Sequence, residues 1–542
     1  MSKRRNFLIR SVQAGLGSLI TLGSLAACAA MRRNGFASPI GAPTPAAGEQ
    51  ASGLSTSVVH AATPTSLPNA IPNPANAPVA QNSSLVPSPL PPPTVVPASA
   101  IHSKQPNVLL ITIDTVRADH LGVYGFDQAH TPNLDQLARE GVRFARAICQ
   151  LPQTNPSHAA LFTGLYASTN GVKVHMVDKL RPGTQTLASV FADNGYFTGG
   201  IYSWVSFDPQ FSGFDQGFKT YNGYVLNRPL LLSDPRLEQL AAVYRDLKSQ
   251  LPILNTADLA TQSSEKLEET VDGRADVTNQ AVFKWLDQYA GKEPFFLWVH
   301  YFDPHYPYAP PAGYDHLFGL KYTGKIDGSV QTIHDIENHK ITPTADDQRR
   351  LVELYQGEIA YTDNQLGDLF QELERRGLKD DTIIVMTGDH GESFGEHGDW
   401  VHGLKVYETE IHVPLLFHYP KKLPAGVTVA APVQLIDVMP TLLELTGLRA
   451  TKPLQGRSLS SELMRNPAPA NQYAFTELAD EAFVSLMTSK WKIIRNDANG
   501  QLQLYHFSDE AEQYNLASSE TKIASELNAL LQDVMKLSGV SH

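Results

Sequence analysis

The chain has 542 residues, a formal net charge of −12 and two cysteines. This acidic balance argues against a nucleic-acid-binding protein, because such proteins usually present a basic face. Cys28 and Cys149 have no neighbouring cysteine at metal-ligand spacing, so neither a disulfide framework nor a zinc ribbon is indicated. The length favours one large domain with smaller appendages.

Residues 1–28 have the pattern of an export signal. Positive charge at residues 3–5 precedes an apolar run that closes with Leu25-Ala26-Ala27-Cys28. The Arg4-Arg5 pair is similar to the twin-arginine export motif, and the closing residues resemble a bacterial lipobox. We therefore expect an extracytoplasmic protein, held at the bacterial cell envelope through a lipidated Cys28. An uncleaved N-terminal anchor is the alternative, and it also places the bulk of the protein outside the cytoplasm.

Residues 29–104 are rich in proline, alanine, serine and threonine and contain few large apolar residues. Such a segment cannot bury enough apolar surface to offset the entropy lost on ordering. We predict a disordered tether between the N-terminal anchor and the folded part of the chain.

Residues 105–448 alternate apolar strand patterns with helical ones. Continuous apolar runs such as Val108–Ile113, Pro294–His300 and Thr382–Met386 are typical of strands buried on both faces. We predict an α/β fold, with a large, mixed, mostly parallel sheet sandwiched by helices. In residues 449–542, short alternating runs and a final helical pattern predict a small C-terminal antiparallel α+β subdomain.

Polar residues follow three of the predicted strands. Asp114 ends the first, His305 comes shortly after the second, and Asp389-His390 follows the third. Sites in open α/β sheets form at the carboxyl ends of strands, so these side chains are expected to meet. Carboxylate and imidazole ligands suit Zn²⁺ or Mn²⁺ and, with further oxygens, Ca²⁺.

The stretch from Leu151 to Gly164 joins two prolines to a small, apolar helical segment. Ser157 is predicted to cap the helix, which places the Thr154 hydroxyl at its N-terminal mouth. Free N–H groups and the helix dipole attract an anionic ester to such a position. A capped surface helix without a chemical role is the alternative.

Short motifs run in order through residues 105–520. They are Asp114-x-x-Arg117-x-Asp119-x-Leu121, Tyr124-Gly125, Thr131-Pro132-Asn133-Leu134-Asp135, Pro156-Ser157 through Thr163-Gly164, Asp303-Pro304-His305, Gly388-Asp389-His390-Gly391-Glu392, Gly395-Glu396-His397-Gly398, Tyr407-Glu408, Val413-Pro414-Leu415, and Leu504-Tyr505 with Asn515-Leu516-Ala517. This series resembles the sulfatase family of the alkaline phosphatase superfamily. The resemblance implies the α/β sandwich with a smaller C-terminal subdomain.

The resemblance also implies a set of site residues. The family's metal ligands fall on Asp114, Asp389 and His390, and its nucleophile, which also contacts the metal, falls on Thr154. His305 matches a histidine near the leaving group. Thr115 stands where many sulfatases have a second carboxylate. Together with His390 this favours Zn²⁺ or Mn²⁺ over Ca²⁺.

Three substrate-contact positions depart from the family pattern. His158 replaces an arginine and is expected to bind substrate, with packing inside the helix as the alternative. A substrate lysine is replaced by His402 or shifted to Lys405, which a solvated surface position would also explain. The Gly-Lys-Trp-His segment of the family is altered to Tyr202–Val205. His175 is expected to be a surface residue.

The family nucleophile is a formylglycine made from cysteine or serine, and no formylglycine is expected at Thr154. A threonyl intermediate has no second hydroxyl to expel the bound sulfate or phosphate, so water must attack the sulfur or phosphorus. Relatives that use threonine act on phosphate esters. We therefore predict hydrolysis of a small-molecule or envelope-polymer phosphate mono- or diester, with sulfate esters a close rival and His305 and His402 as acid–base candidates.

Two other functions remain open. The first is a transferase that moves a phosphoryl-linked head group onto an envelope acceptor. The second is a degenerate binding protein that has kept the fold and lost the chemistry. The complete set Asp114, Asp389 and His390 argues against the second. The sequence does not indicate an oligomeric state.

Overall fold

The computed structural model describes residues 105–223, 274–466, 472–478 and 483–540. The predicted export signal (1–28), Cys28 and the predicted tether (29–104) lie outside the described residues. Within the described ranges, no helix combines the length and apolar character needed to cross a membrane.

In the described part of the chain, nine strands form one central sheet. Its order is β10-β2-β9-β6-β1-β5-β3-β4, with β11 also paired to β2. Only β9 runs antiparallel to its neighbours β2 and β6, so the sheet is mixed and mostly parallel, as predicted. The strands are β1 (Asn107–Ile113), β2 (Val142–Ile148), β3 (Phe197–Tyr202), β4 (Thr220–Gly223), β5 (Phe295–Tyr301), β6 (Thr382–Gly388), β9 (His412–His418), β10 (Val427–Val429) and β11 (Val433–Gln434).

Helices and short turns cover both faces of this sheet. The helices are α1 (Pro132–Glu140), α2 (Thr154–Thr163), α3 (Ala167–Asn170), α4 (Leu187–Asp193), α5 (Pro209–Ser212), α6 (Ala275–Tyr289), α7 (Val330–Glu337), α8 (Ala345–Arg375), α9 (Glu408–Ile411), α10 (Val438–Thr446), α11 (Ser460–Leu463) and α12 (Thr521–Ser538). Single 3₁₀ turns occupy Ala118–His120, Gly122–Tyr124, Val205–Phe207, Lys379–Asp381, Glu396–Gly398 and Leu435–Asp437.

Strand β1 lies at the centre of the sheet and is buried along its whole length. Val108 and Leu110 belong to the apolar core on one face, whereas Leu109 and Ile111 belong to the core on the other. A strand buried on both faces needs apolar side chains at every position, which explains its unbroken apolar sequence.

A second, antiparallel sheet has the order β12-β13-β14-β15. Its strands are β12 (Tyr473–Glu477), β13 (Phe483–Thr488), β14 (Trp491–Asn496) and β15 (Gln501–His506), and a two-stranded ribbon pairs β7 (Ser393–Phe394) with β8 (Trp400–Val401). Helix α12 packs on the second sheet, and their core includes Ala160 of α2 together with Tyr166 and Ile436. The predicted C-terminal antiparallel α+β structure is thereby confirmed.

The long helix α8 begins at Ala345, after a reciprocal capping box between Thr344 and Asp347. One predicted helix start is wrong. Helix α2 begins at Thr154 with Gln153 as its N-cap, so Ser157 lies inside the helix and does not cap it. The Ser157 hydroxyl donates instead to the carbonyl of Asp389 at 2.6 Å.

Candidate active site and metal centre

The register of the central sheet brings Asp114 and Asp389 together. Ile113, the last residue of β1, pairs with Gly388 at the end of β6 and with Tyr301 at the end of β5. The residues that follow these strands therefore leave the sheet side by side, at its carboxyl edge.

Asp114, Asp389 and His390 form a buried cluster with metal-ligand geometry. One ligand atom from each lies within 4.8 Å of the others. His390 Nε2 is 3.8 Å from Asp114 Oδ1 and 3.5 Å from Asp389 Oδ2. Burial raises the pKa of Asp114 to about 7 and also raises that of Asp389. A cation among these oxygens would reverse both shifts.

Several buried polar atoms of the cluster have no hydrogen-bond partner. These atoms are both carboxylate oxygens of Asp114, Oδ2 of Asp389 and the hydroxyl of Thr115. An unsatisfied buried carboxylate is costly, so its oxygens need a ligand. Two carboxylates and an imidazole fit a divalent cation, and these residues therefore have the donors that such an ion requires.

The remaining hydrogen bonds of the cluster orient its ligands. His390 Nδ1 lies 3.0 Å from the Gly391 carbonyl, which can only accept, so Nδ1 carries the proton and Nε2 turns its lone pair to the cluster. Asp389 Oδ1 accepts from the N–H groups of Thr115 and His390 at 3.1 and 2.8 Å. Thr115 has a φ of 53°, an uncommon value for a β-branched residue, and its peptide N–H thereby reaches Asp389.

Gly391, the glycine after His390, lies where the neighbouring backbone leaves no space for a side chain. A Cβ at Gly391 would lie 2.0 Å from the Thr409 carbonyl oxygen. Gly391 is therefore required by the neighbouring backbone and not by the metal cluster.

Thr154 is the first residue of helix α2 and is buried beside the cluster. Its Oγ1 lies 3.4 Å from His390 Nε2. In the first turn of α2, the N–H of Asn155 donates to His175 Nδ1, that of Ser157 donates to the Gln153 carbonyl, and Pro156 has no N–H. The positive end of the helix dipole nevertheless lies where the hydroxyl and the ligands meet. The predicted association of Thr154 with the strand ends is observed.

His305 and His402 lie together at the rim of this cluster. The His402 ring centroid is 4.4 Å from that of His390 and 5.1 Å from that of His305. His402 Nδ1 pairs with Oε1 of the buried Glu392 at 2.9 Å, and His305 Nδ1 lies 2.5 Å from the Tyr306 carbonyl. Both Nδ1 atoms are therefore donors, which leaves an Nε2 lone pair on each ring. Burial lowers the pKa of His402 to about 4 and that of His305 well below its usual value.

The positions of His158 and Lys405 differ from the predicted substrate contacts. His158 is completely buried, with Nδ1 2.8 Å from the Thr154 carbonyl and Nε2 3.0 Å from the Thr112 hydroxyl. This arrangement supports the packing alternative, in which His158 packs inside the protein and its hydrogen bond to the Thr154 carbonyl stabilises the start of α2. Lys405 Nζ lies 3.7 Å from Asp399 Oδ2 and above the Phe483 ring, as expected of the solvated alternative.

Three residues of the site were not assigned from sequence. His300 Nε2 lies 3.5 Å from Asp114 Oδ2, and Glu392 holds His402. Both stand next to predicted strand ends, so a wider search around those ends would have found them. His175, which was expected to be a surface residue, is half-buried, and its Nδ1 accepts from the N–H of Asn155 at 3.3 Å. Nothing in the local pattern of His175 indicates this contact.

A buried carboxylate–imidazole cluster at the carboxyl edge of a mixed α/β sheet, with a hydroxyl at a helix N-terminus beside it, defines a metal-dependent ester hydrolase. The model of the family described as "Sulfatase" matches residues 106–448, and the model described as "N-sulphoglucosamine sulphohydrolase, C-terminal" matches residues 395–538. The chain belongs to the sulfatase family. This family is metal-dependent, and Asp114, Asp389 and His390 form a triad with the geometry to hold a metal ion.

Individual relatives agree with this assignment. A sulfatase of Formosa agariphila is 28% identical over 399 residues, which cover 69% of this chain and 75% of that protein. A structure solved in complex with its substrate D-glucosamine-2-N,6-O-disulfate has a TM-score of 0.62 at 19% identity and covers 80% of this chain and 98% of its own. The phosphonate monoester hydrolase of Agrobacterium radiobacter also has a TM-score of 0.62, at 23% identity over 80% of this chain and 96% of its own. These structures share the fold.

Proposed function

We propose that the protein hydrolyses phosphate mono- or diesters with Thr154 as the nucleophile. The observation that carries this proposal is the position of the Thr154 hydroxyl, 3.4 Å from His390 Nε2 at the metal cluster. A divalent cation held by Asp114, Asp389 and His390 would favour the alkoxide of Thr154 and offset charge on the ester. The imidazole ligand favours Zn²⁺ or Mn²⁺ over Ca²⁺.

In the first step, Thr154 Oγ attacks the phosphorus while the bond from phosphorus to the ester oxygen breaks. The Nε2 lone pair of His305 or His402 takes the threonine proton and returns it to the departing alcohol. In the second step, water attacks the phosphothreonine, and its proton passes through the same imidazole to Thr154. Free Thr154 results, together with inorganic phosphate from a monoester or a phosphate monoester from a diester.

Sulfate ester hydrolysis is the second candidate, and the sulfatase family models favour it. Threonine argues for phosphate because its single hydroxyl cannot expel the bound group by forming an aldehyde, so water must attack the central atom directly. The shared fold of a phosphonate monoester hydrolase is compatible with the preference for a phosphorus ester. Small molecules and envelope polymers remain equal candidates for the alcohol part of the substrate.

A substrate comparison with purified protein tests this proposal. The protein is loaded with Zn²⁺ or Mn²⁺ and assayed on an aryl phosphate, a bis-aryl phosphodiester and an aryl sulfate of the same phenol. We expect one of the phosphorus esters to react fastest, with Thr154→Ala reducing turnover by roughly 10³-fold and Thr154→Ser retaining part of it. The exposed Thr521→Ala, at the start of α12, serves as the matched control.

Three outcomes of the comparison would contradict the proposal. Faster sulfate turnover would reject the phosphorus preference, and undiminished turnover in Thr154→Ala would reject the nucleophile. Release of the phenol from the aryl phosphate without free phosphate, with the phosphoryl group recovered on an added alcohol acceptor, would favour the transferase alternative.

We also propose that the enzyme acts outside the cytoplasm, anchored through a lipid on Cys28. The lipobox-like sequence that ends at Cys28 and the proline-rich tether pattern of residues 29–104 support this. Mass spectrometry of the membrane fraction should find a mature chain that begins with lipidated Cys28. A full-length, unlipidated chain would contradict this proposal.

A further inference from the structure

His175 lies on a fixed segment beside the nucleophile. It follows helix α3, in a turn where Asp178 Oδ2 accepts the N–H groups of Lys173 and Val174 at 3.1 and 3.0 Å. The N–H of His175 donates to Oε1 of Gln153 at 3.2 Å. The Gln153 side chain in turn lies against Gly403, next to His402. The segment is therefore tied to both the start of α2 and the rim of the site.

The hydrogen bond to His175 determines which of its ring nitrogens carries the proton. Asn155 is the second residue of α2, and its backbone N–H points at His175 Nδ1, 3.3 Å away. A backbone N–H can only donate, so Nδ1 must hold a lone pair, and the proton of the neutral ring must be on Nε2. Burial, together with repulsion from His402 and His390 when these are charged, lowers the pKa of His175 to about 3. The ring is therefore neutral at pH 7.

The proton of His175 is on the opposite ring nitrogen from that of His305 and His402. His305 and His402 use Nδ1 as a donor, to a carbonyl and to a carboxylate, and so present Nε2 as an acceptor. His175 presents Nε2 as a donor. Acceptors suit the movement of a proton, whereas a neutral donor beside a nucleophile suits an oxygen that gains negative charge.

Two other residues that were expected to contact the substrate, His158 and Lys405, have partners elsewhere. Both ring nitrogens of His158 have partners within the protein, and the Lys405 ammonium pairs with Asp399. His175 is half-buried, and its electrostatic neighbours include His402 and His390. It is thus placed next to the residue that follows Thr154 and within electrostatic range of two histidines of the site.

We propose that His175 binds the ester through Nε2–H, which donates a hydrogen bond to a non-bridging oxygen of the group attacked by Thr154. This inference rests on the proposed function, because it assumes that an oxyanion ester binds at Thr154. It applies equally to a phosphoryl and to a sulfuryl oxygen. His175 is then a substrate-binding residue whose tautomer is set by the backbone of α2.

Two substitutions separate this role from a purely structural one. His175→Gln keeps an N–H donor near the position of Nε2 but loses the acceptor for Asn155. His175→Asn keeps an acceptor near the position of Nδ1 but loses the outward donor. A substrate-binding role predicts that Gln rescues function and Asn does not. A structural role, limited to satisfying the N–H of Asn155, predicts the reverse.

The primary measurement is the binding of inorganic phosphate, and separately of sulfate, to the Zn²⁺-loaded full-length protein by calorimetry. We expect His175→Asn to weaken oxyanion binding about tenfold and to lower kcat/KM by about 10²-fold, with His175→Gln within about threefold of wild type. The same substitutions at the exposed His316 are matched controls, and zinc content and thermal melting establish that each variant is folded and loaded.

Equal oxyanion binding by wild type, His175→Asn and His175→Gln would overturn the inference, as would rescue by Asn alone or no oxyanion binding at all. Nitrogen-15 NMR of the ring gives an independent test, because a protonated Nδ1 in His175 would also contradict it. Failure of the proposed function looks different. Oxyanion binding would still depend on His175, while no ester would be hydrolysed.

Discussion

Asp114 and Glu410 are both buried carboxylates, yet their oxygens have opposite surroundings. Glu410 Oε2 accepts the N–H groups of Gly403, Leu404 and Lys405 at 2.8, 3.1 and 3.3 Å, and so shapes the loop that carries His402. Among the described residues, Asp114 is the one carboxylate with both oxygens buried and without a hydrogen-bond partner. Backbone N–H groups fill one oxygen of the first group, whereas no described residue hydrogen-bonds to the oxygens of the second, and their lone pairs are left for a cation.

Asp363 resembles Glu410 in this respect. Its Oδ1 accepts from Leu134 N–H at 2.8 Å and its Oδ2 from Asn133 N–H at 3.1 Å, at the start of α1. Burial of a carboxylate therefore does not by itself indicate a functional site. What distinguishes the metal centre is burial combined with unfilled oxygens.

Asp114→Asn is expected to have the largest effect on metal binding and turnover. Loss of a charged ligand should abolish stoichiometric metal binding and reduce turnover by roughly 10³-fold, equivalent to several kcal/mol. The metal-free variant should nevertheless be as stable as wild type or more so, because a buried carboxylate without partners is removed. Metal content, turnover and urea unfolding in chelator measure the three quantities. Retained metal, or marked destabilisation of the metal-free variant, would count against the assignment.

Glu410→Ala should have the opposite signature. It leaves three backbone N–H groups of the His402 loop without an acceptor, so the free energy of unfolding should fall by roughly 2–4 kcal/mol, while metal binding is preserved. Glu410→Gln keeps an oxygen acceptor and is the matched control. If Glu410→Ala loses metal without losing stability in urea unfolding, the division between the two kinds of carboxylate is wrong.

Asp363 provides a test in pH dependence. Burial raises its pKa to about 6, from an ordinary value of 3.8. The folded state then binds the proton more tightly than the unfolded state, so the stabilising contribution is complete below about pH 4 and is lost as pH rises through about 6. Between pH 4.5 and 7 we expect wild type to lose about 2 kcal/mol relative to Asp363→Asn. A difference between the two proteins that is constant over this range in urea unfolding would contradict the shift.

Lys405→Ala should have the smallest effect. Its ammonium is partly exposed and lies 3.7 Å from Asp399 Oδ2, the geometry of a weak surface ion pair. We expect a change of less than about 0.5 kcal/mol in stability and no more than about twofold in kcat/KM. A tenfold rise in KM for the phosphorus ester would instead restore Lys405 as a substrate contact.

The sequence predicted the metal-ligand cluster better than the residues around it. Asp114 and Asp389 were found because an apolar run that ends in a polar residue is a local signal, and parallel strands bring such ends to one edge. Ser157 was misplaced because its tertiary bond to the Asp389 carbonyl, 2.6 Å long, replaces the capping role that its residue type favours. His175 was missed because its hydrogen bond to Asn155 joins helix α2 to the turn after α3, and no sequence periodicity indicates such a contact.

If Thr154 is the nucleophile, it forms a covalent phosphoenzyme during turnover, which acid-quench mass spectrometry detects. Wild-type protein and His402→Ala are mixed with an aryl phosphate, quenched within the first turnovers and digested. We expect phosphate on Thr154 in both, with more in His402→Ala if that histidine activates the water, and none in Thr154→Ala. Continued turnover by wild type with an unmodified Thr154, or phosphate on another residue, would contradict the account.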